Sequence, residues 1–258
     1  MTAIAQSYFM TQRHARVLVR QPWFVLVTLV QPLIWLLLFG ALFRSVTEIP
    51  GFGSAGSYLD YLVPGIVVLT ALMSSGWSGM GVIEDIDRGL LDRFLVAPTH
   101  RSALIAGRIG YEGLALVIQG SIMAGLAWLL GAHFEGGIGG FAIVLGCAIL
   151  LAFAFASLSN ALALLLRQRE SVIGINVMIT LPLTFLSAGF MPLSLAPEWV
   201  QTAARFNPVN WAVEAGREAL LASPDWSVVL PRVGGLLAVA LVCLALATRA
   251  FRSYQRSA

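Results

Sequence analysis

Ionisable residues divide the chain into long apolar runs: Trp23 to Phe43, Tyr61 to Ile83, Gly113 to Ala132, Gly136 to Leu166, Ser171 to Pro197 and Val233 to Thr248. A spanning helix needs roughly 20 residues at about 1.5 Å each, so five runs suffice outright. The last borrows residues around Arg232, whose long side chain can reach the interface. The pattern predicts an all-α membrane protein with six transmembrane helices. The first run, although interrupted by Gln31-Pro32, exceeds the roughly 7 to 15 residues of a signal-peptide core and is read as a retained span.

Shorter patterns fill the gaps. In "VIEDIDRGLLDRFLVAPTHR", Ile83, Ile86, Leu90, Leu91, Phe94 and Leu95 recur on one helical face, and Glu84, Asp85, Arg88 and Asp92 lie away from it. This predicts an amphipathic helix over 84–97 between the second and third spans. Ahead of the first span, Ile4, Tyr8, Ala15, Leu18 and Val19 oppose Arg13, Arg16 and Arg20, which suits an interfacial helix within 1–22; an ordinary positively flanked entry to a span is the alternative. From Phe190 the sequence turns mixed and Pro-rich. Pro197 can open one short helix, and Asn207-Pro208 offers an N-cap followed by proline at the first helical position of another. Two short, partly re-entrant outer helices are expected within 190–225. With no internal repeat, low-complexity tract or soluble segment, a single membrane domain covers 1–258.

Composition agrees with a membrane setting: 58% of residues are hydrophobic and mean hydropathy is +0.84, against roughly 45 to 50% apolar usage in soluble domains. The net charge of +3 comes from arginine alone. Arg13, Arg16, Arg20, Arg88, Arg93, Arg101, Arg108, Arg167, Arg169, Arg249, Arg252 and Arg256 fall on one side of six spans, and Arg44, Arg205, Arg217 and Arg232 on the other. By the positive-inside rule both termini are cytoplasmic, in a multi-pass protein of the plasma (inner) membrane. The asymmetry argues for topology, not for nucleic acid. Cys147 and Cys243 lack partners at metal-ligand or redox spacing and read as packing residues.

The chain carries no phosphate-binding G-x-x-x-x-G-K-[ST] loop and no His or Cys cluster, so it is not an enzyme of nucleotide hydrolysis, and any ATP-derived energy must come from a partner. "GWSG" at Gly76–Gly79 looks like the serine motif of rhomboid proteases, but His14, His100 and His133 all fall away from span centres. An ion-coupled carrier would show an isolated acid near the midplane, and the runs contain none. Charged pairs are expected at Arg108 with Glu112, and at Arg217 between Glu214 and Glu218. Two polar stripes stand out, Thr70, Ser74, Ser78 and Gly81 on the second span and Asn176, Thr180, Thr184 and Ser187 on the fifth. They read either as helix-packing seams or as the wall of a substrate path, to which Gln31 on the first span would add. Phe190, Trp199, Phe206 and Trp211 then form an expected outer gate, with interfacial anchoring as the competing account of those rings.

Several stretches together resemble the permease subunit of type-2 ATP-binding-cassette (ABC) exporters, especially the daunorubicin-resistance-type drug exporters: "QPLIWLLLFGALF", "YLDYLVPGIVVLTALMSS", "EDIDRGLLDRFLVAP" and "SAGFMPLSLAPEWVQTAARFNPVNWAVEAGR", in that order over nearly the whole chain. The resemblance implies two permease copies or paralogues above two nucleotide-binding subunits, with ATP and Mg on those partners and no cofactor on this chain. It also implies that 84–97 is the coupling helix. Leu90, Leu91 and Phe94 would fill a groove of the ATPase, Gly89 would permit close approach, and Glu84, Asp85, Arg88 and Arg93 would make rim contacts. The net charge of this segment favours a protein partner over anionic lipid. The implied function is export of hydrophobic or amphipathic compounds. A permease for a lipid or lipid-linked glycan, and an ATP-independent channel or carrier, are the alternatives.

Overall fold

The longest apolar run becomes the axis of the molecule. The computed structural model describes residues 22–43, 57–88 and 101–257. Its elements are α1 Pro22–Leu42, α2 Tyr58–Gly76, α3 Ser78–Asp87, α4 Arg101–Leu129, α5 Gly137–Leu166, α6 Arg169–Phe185, α7 Glu198–Arg205, α8 Pro208–Ala219 and α9 Trp226–Ser257, with a 3-10 turn at Leu193–Leu195. Among the described residues there is no strand. The central helix, α5, is apolar all round, as a helix wrapped by others must be, and it packs against α9, α2, α8, α3, α4 and α6. Leu62, Ile66 and Leu69 of α2, Met123 of α4, Val144 and Leu151 of α5, Val213 of α8 and Leu236 of α9 form the main core, in which Cys147 is buried and Cys243 partly so. A smaller inner cluster joins Val82 and Ile83 of α3 to Leu164 of α5, Val172 of α6, and Ala250 and Tyr254 of α9.

Four helical stretches among the described residues are long and apolar enough to cross a membrane: Tyr58–Asp87, Glu112–Leu129, Gly137–Leu166 and Trp226–Tyr254; Val27–Leu42 is a shorter apolar helix. Large apolar side chains face outward on α1 (Val30, Ile34, Leu38) and on α9 (Leu230, Leu237, Leu241), where lipid rather than water is the natural solvent.

Two element boundaries differ from the sequence-based expectation. The second span does not run unbroken from Tyr61 to Ile83 into a separate helix at Glu84. It breaks at Trp77, and Glu84 and Asp85 belong to α3, which ends at Asp87 with Arg88 as its C-cap. α6, which holds the fifth apolar run, stops at Phe185, well before Pro197, and the rest of that run is an irregular stretch followed by the 3-10 turn. The reason lies in hydrogen bonding, because the Asn207 amide takes the freed carbonyls of Leu183 and Leu186 at 2.8 and 2.7 Å. Positions 1–21 and 89–100, and with them the interfacial helix and Gly89, Leu90, Leu91, Arg93 and Phe94 of the expected coupling helix, lie outside the described residues.

Candidate functional site

At the end of the bundle formed by α3 and the start of α6, Glu84 and Arg88 are exposed and pair one turn apart at 2.5 Å, while Asp87 meets Arg169 of α6 at 3.6 Å. Asp85 is half-buried. Exposed pairs of this kind contribute about 0 to 1 kcal/mol, so the charges orient more than they hold. Ile83 is buried, and Ile86 packs against the same inner cluster. The apolar face of this turn is therefore already covered by the chain's own helices.

Higher up, the break at Trp77 is bridged from α5. Ser159 Oγ donates to the Gly76 carbonyl at 2.6 Å and accepts from the Gly79 N–H at 3.0 Å, satisfying two groups that the broken helical ladder releases. Glycine is required on both sides of the break. A Cβ at Gly79 would sit 2.5 Å from the Ser159 carbonyl, and one at Gly76 would sit 2.4 Å from the Asn176 side-chain amide. The GWSG sequence is thus explained by helix packing. Ser78 is buried, and the described histidine, His133, donates its main-chain N–H to the Asp60 carboxylate, and Asp60 lies eighteen residues, roughly 27 Å at about 1.5 Å per residue, from Ser78 along the helical path.

The two polar stripes meet where Asn176 lies against Gly76. Most of their hydroxyls bond back to their own helices: Thr70 to the Ile66 carbonyl, Ser74 to Ala71, Thr180 to Asn176, Thr184 to Thr180 and Ser187 to Thr184. Hydroxyls satisfied in this way can face lipid, protein or substrate at small cost. Burial separates them. Ser78, Thr184 and Ser187 are buried, Thr70, Asn176 and Thr180 are half-buried, and Ser74 is exposed. Gln31 is exposed on α1, which turns Leu29, Pro32 and Leu36 inward; the polar link between α1 and α4 is made instead by Gln119 donating to Thr28 at 2.9 Å.

At the opposite end of the bundle, α7 packs on α8, and α8 packs against α5, α9, α2 and α6. Pro197 opens α7, and Asn207 caps α8 with Pro208 in its first turn, as their sequence positions predict. Asn207 Oδ1 accepts from the Val209 N–H while its amide holds the end of α6, so one side chain closes two helices. Asn210 Oδ1 accepts from Ala188 N–H and its amide donates to Glu214. Arg217 makes a larger clamp, donating to the carbonyls of Tyr61, Ala188 and Gly189 at 3.0, 2.6 and 3.1 Å with its guanidinium over the Tyr61 ring. Tyr61 and Tyr58 tie the same strip by donating to the Ala188 and Phe190 carbonyls. The expected ion pairing of Arg217 with Glu214 and Glu218 is therefore corrected. Glu214 pairs with Arg232 of α9, Glu218 accepts from the Asp225 N–H, and Arg217 turns instead to the carbonyls of Tyr61 on α2 and of Ala188 and Gly189. Just before α9, bonds from the Ser227 hydroxyl and N–H hold the Asp225 carboxyl below the usual carboxylate range.

The four expected gate rings are not gathered. Phe190 packs edge-on to Trp35 and beside Phe39 of α1, with centroids 5.3 and 5.1 Å away, and Trp211 donates to the Arg205 carbonyl. Trp199 and Phe206 are exposed on α7. Among the described residues there is no group of three His, Cys, Asp or Glu able to hold a metal. The polar side chains described at this site clamp backbone carbonyls and helix ends. The side chain of Arg108, expected to pair with Glu112, lies outside the described ones.

The chain is 31% identical over 216 residues to the putative transport permease ycf38 of Cyanophora paradoxa (82% of this chain, 72% of that one). It is 29% identical over 218 residues to the daunorubicin resistance ABC transporter permease protein DrrB1 of Streptomyces coeruleorubidus (83% and 74%). It is 24% identical over 254 residues to the probable doxorubicin resistance ABC transporter permease protein DrrC of Mycobacterium tuberculosis (98% and 90%). The sequence profile of one transporter family matches residues 5–221, from before the first span through the outer clamp, and the chain belongs to that family, the ABC-2 type transporters.

Proposed function

We propose that this chain is the six-span permease subunit of an ATP-driven exporter that moves hydrophobic and amphipathic compounds outward across the plasma membrane. It works as a pair with a second permease and with two nucleotide-binding subunits docked on the segment after α3. The observation that carries the reading is the short helix α8, with Val213 and Asn210 buried, clamped by Arg217 to α2 at one end of a seam of self-satisfied hydroxyls. A plug of this kind would close the outer end of a path, with its one guanidinium, Arg217, turned onto backbone carbonyls. The route itself is assigned to the accessible part of the seam, Thr70, Ser74, Asn176 and Thr180, with Phe190 and Trp211 in the cap. Because Ile83 and Ile86 are already covered, the ATPase contact rests on Leu90, Leu91 and Phe94, with Glu84, Arg88 and Arg93 at its rim. Relatives named for daunorubicin and doxorubicin resistance make an anthracycline the first substrate to try.

The test is ATP-dependent accumulation of daunorubicin in inside-out vesicles containing the permease and an ABC ATPase encoded with it. Accumulation that requires ATP and both proteins supports the reading. Equal uptake without the ATPase would assign the chain to ATP-independent carriers instead.

A further inference from the structure

Between α7, α8 and α9, at the outer end, lies an open cavity of about 450 Å³ that the transport reading leaves unused. Its wall holds the Glu214–Arg232 pair. Arg232 Nε donates to Glu214 Oε2 at 2.7 Å and its NH1 group to the Val228 carbonyl at 3.1 Å, while Glu214 Oε1 accepts from Asn210 at 3.0 Å. That pair is saturated and neutral. Arg205 also lines the cavity, and its guanidinium has no carboxylate or carbonyl partner among the described residues, since only its carbonyl is engaged, by Trp211. The cavity therefore carries one uncompensated positive charge.

Its surroundings are apolar. Trp199 and Phe206, 67% and 78% exposed, belong to the same short outer segment as Arg205, and Val242, 59% exposed, continues the face of α9 on which Pro231 and Gly235 line the cavity. Gly235, on the cavity wall, lies nine residues into α9, about 14 Å along a helix that is apolar enough to span the membrane. A ligand matched to one free guanidinium, an indole wall and flanking apolar helix faces is a monoanionic phosphodiester bearing acyl chains. We propose that this cavity binds the headgroup of an outer-leaflet phospholipid, with the phosphodiester on Arg205 and the chains along the face of α9 that continues to Ala238 and Val242, both exposed. Lipid bound here would splint α7 and α8 against α9. The inference concerns binding alone and does not rest on which compound is exported.

The experiment uses the full permease, with its ATPase where the two co-purify, in delipidating detergent, and reads thermal unfolding against added dioctanoyl-phosphatidylglycerol. Three controls accompany it: dioctanoylglycerol, which has the chains without the phosphate, inorganic phosphate, and the Arg205→Ala variant. Because Arg205 is exposed, that substitution leaves the fold intact. Phosphatidylglycerol should raise the midpoint in a saturable way, and both single-feature probes should fail to do so. Arg205→Ala should weaken the apparent affinity about tenfold, the equivalent of one charge-assisted hydrogen bond, with Arg205→Lys largely restoring it. An equal shift from inorganic phosphate would make this a free-anion site, and an equal shift from dioctanoylglycerol would make it an apolar groove. Either result, or an unaltered response in Arg205→Ala, overturns the proposal. So would cross-linking of a cysteine at position 205 to the second permease in the native dimer, since the partner would then fill the cavity.

Discussion

Arg217 covers the ring of Tyr61, with its guanidinium carbon 3.3 Å from the ring centroid, and its Nε donates to the carbonyl of that same tyrosine. One side chain of α8 thus grips both the backbone and the ring of Tyr61 on α2, while its other nitrogen holds the strip at Ala188 and Gly189. The grip joins three segments that are far apart in sequence, so its loss should loosen the outer cap as a unit.

The first prediction follows from that. Arg217→Ala removes a charged donor from three carbonyls and leaves them to find water, which should cost roughly 2 to 4 kcal/mol. Limited proteolysis from the outer side should begin to cut between 186 and 192, and thermal unfolding in detergent should drop by several degrees. Arg217→Lys can reach one or two of the carbonyls but cannot reproduce the planar stack, so an intermediate value is expected. Wild-type protease resistance in Arg217→Ala would show that the clamp is incidental.

A second prediction concerns the break at Trp77. Ser159→Ala strands the Gly76 carbonyl and the Gly79 N–H in a dry region, at a cost of about 1 to 3 kcal/mol. Gly79→Val is expected to be worse, because its first side-chain carbon would already overlap the Ser159 carbonyl and backbone cannot step aside. Detergent unfolding midpoints of the two variants should rank in that order. The reverse ranking would mean that the bridge matters more than the close approach.

Some of this architecture was legible in the sequence because it is local. Asn207-Pro208 encodes a cap and a first turn within a few residues, and the apolar run from Gly136 to Leu166 reads as a helix wherever it is placed. Arg217 was not legible. Its neighbours along the helix are Glu214 and Glu218, and only the fold reveals that Arg232 claims Glu214 while Arg217 lies within reach of carbonyls of α2 and of the 188–189 strip. The break at Trp77 was hidden for the same reason, since Ser159, which makes it tolerable, is 80 residues from Gly79 in sequence. A signal existed in the small residues flanking Trp77, but small residues are common in spans for ordinary packing reasons.

The third prediction addresses the proposed coupling segment. With Ile83 and Ile86 committed to the inner cluster, substituting them should destabilise the permease itself, whereas Leu91→Asp with Phe94→Asp should release the ATPase and leave the permease folded and inserted. Arg88→Glu should act weakly on either measure, because its ion pair with Glu84 is exposed and worth about 0 to 1 kcal/mol. Co-purification of the ATPase with each variant separates the classes. Retention of the ATPase by the double Asp variant would move the docking surface elsewhere.

The last prediction divides the two polar stripes into seam and path. Ser78, Thr184 and Ser187 are buried within a single copy of the chain, so a reagent in water should not reach them whatever the transporter is doing. Ser74 is exposed and Thr70, Asn176 and Thr180 are half-buried, on faces that the single chain leaves partly uncovered. The hydroxyls among these four bond to their own helix backbones, so they tolerate an apolar environment, and accessibility rather than polarity must decide between lipid and an aqueous or substrate-filled path. Single cysteines at 70, 74, 176 and 180, in a background with Cys147 and Cys243 replaced, should react with a membrane-impermeant thiol reagent and be protected by an exported amphipath. Cysteines at 78, 184 and 187 should stay silent, as should one at the outward Val30 of α1, which faces lipid. If 74 and 180 are as unreactive as position 30 both with and without ATP, those faces are sheathed by lipid or by the second permease, and the route does not pass along α2 and α6.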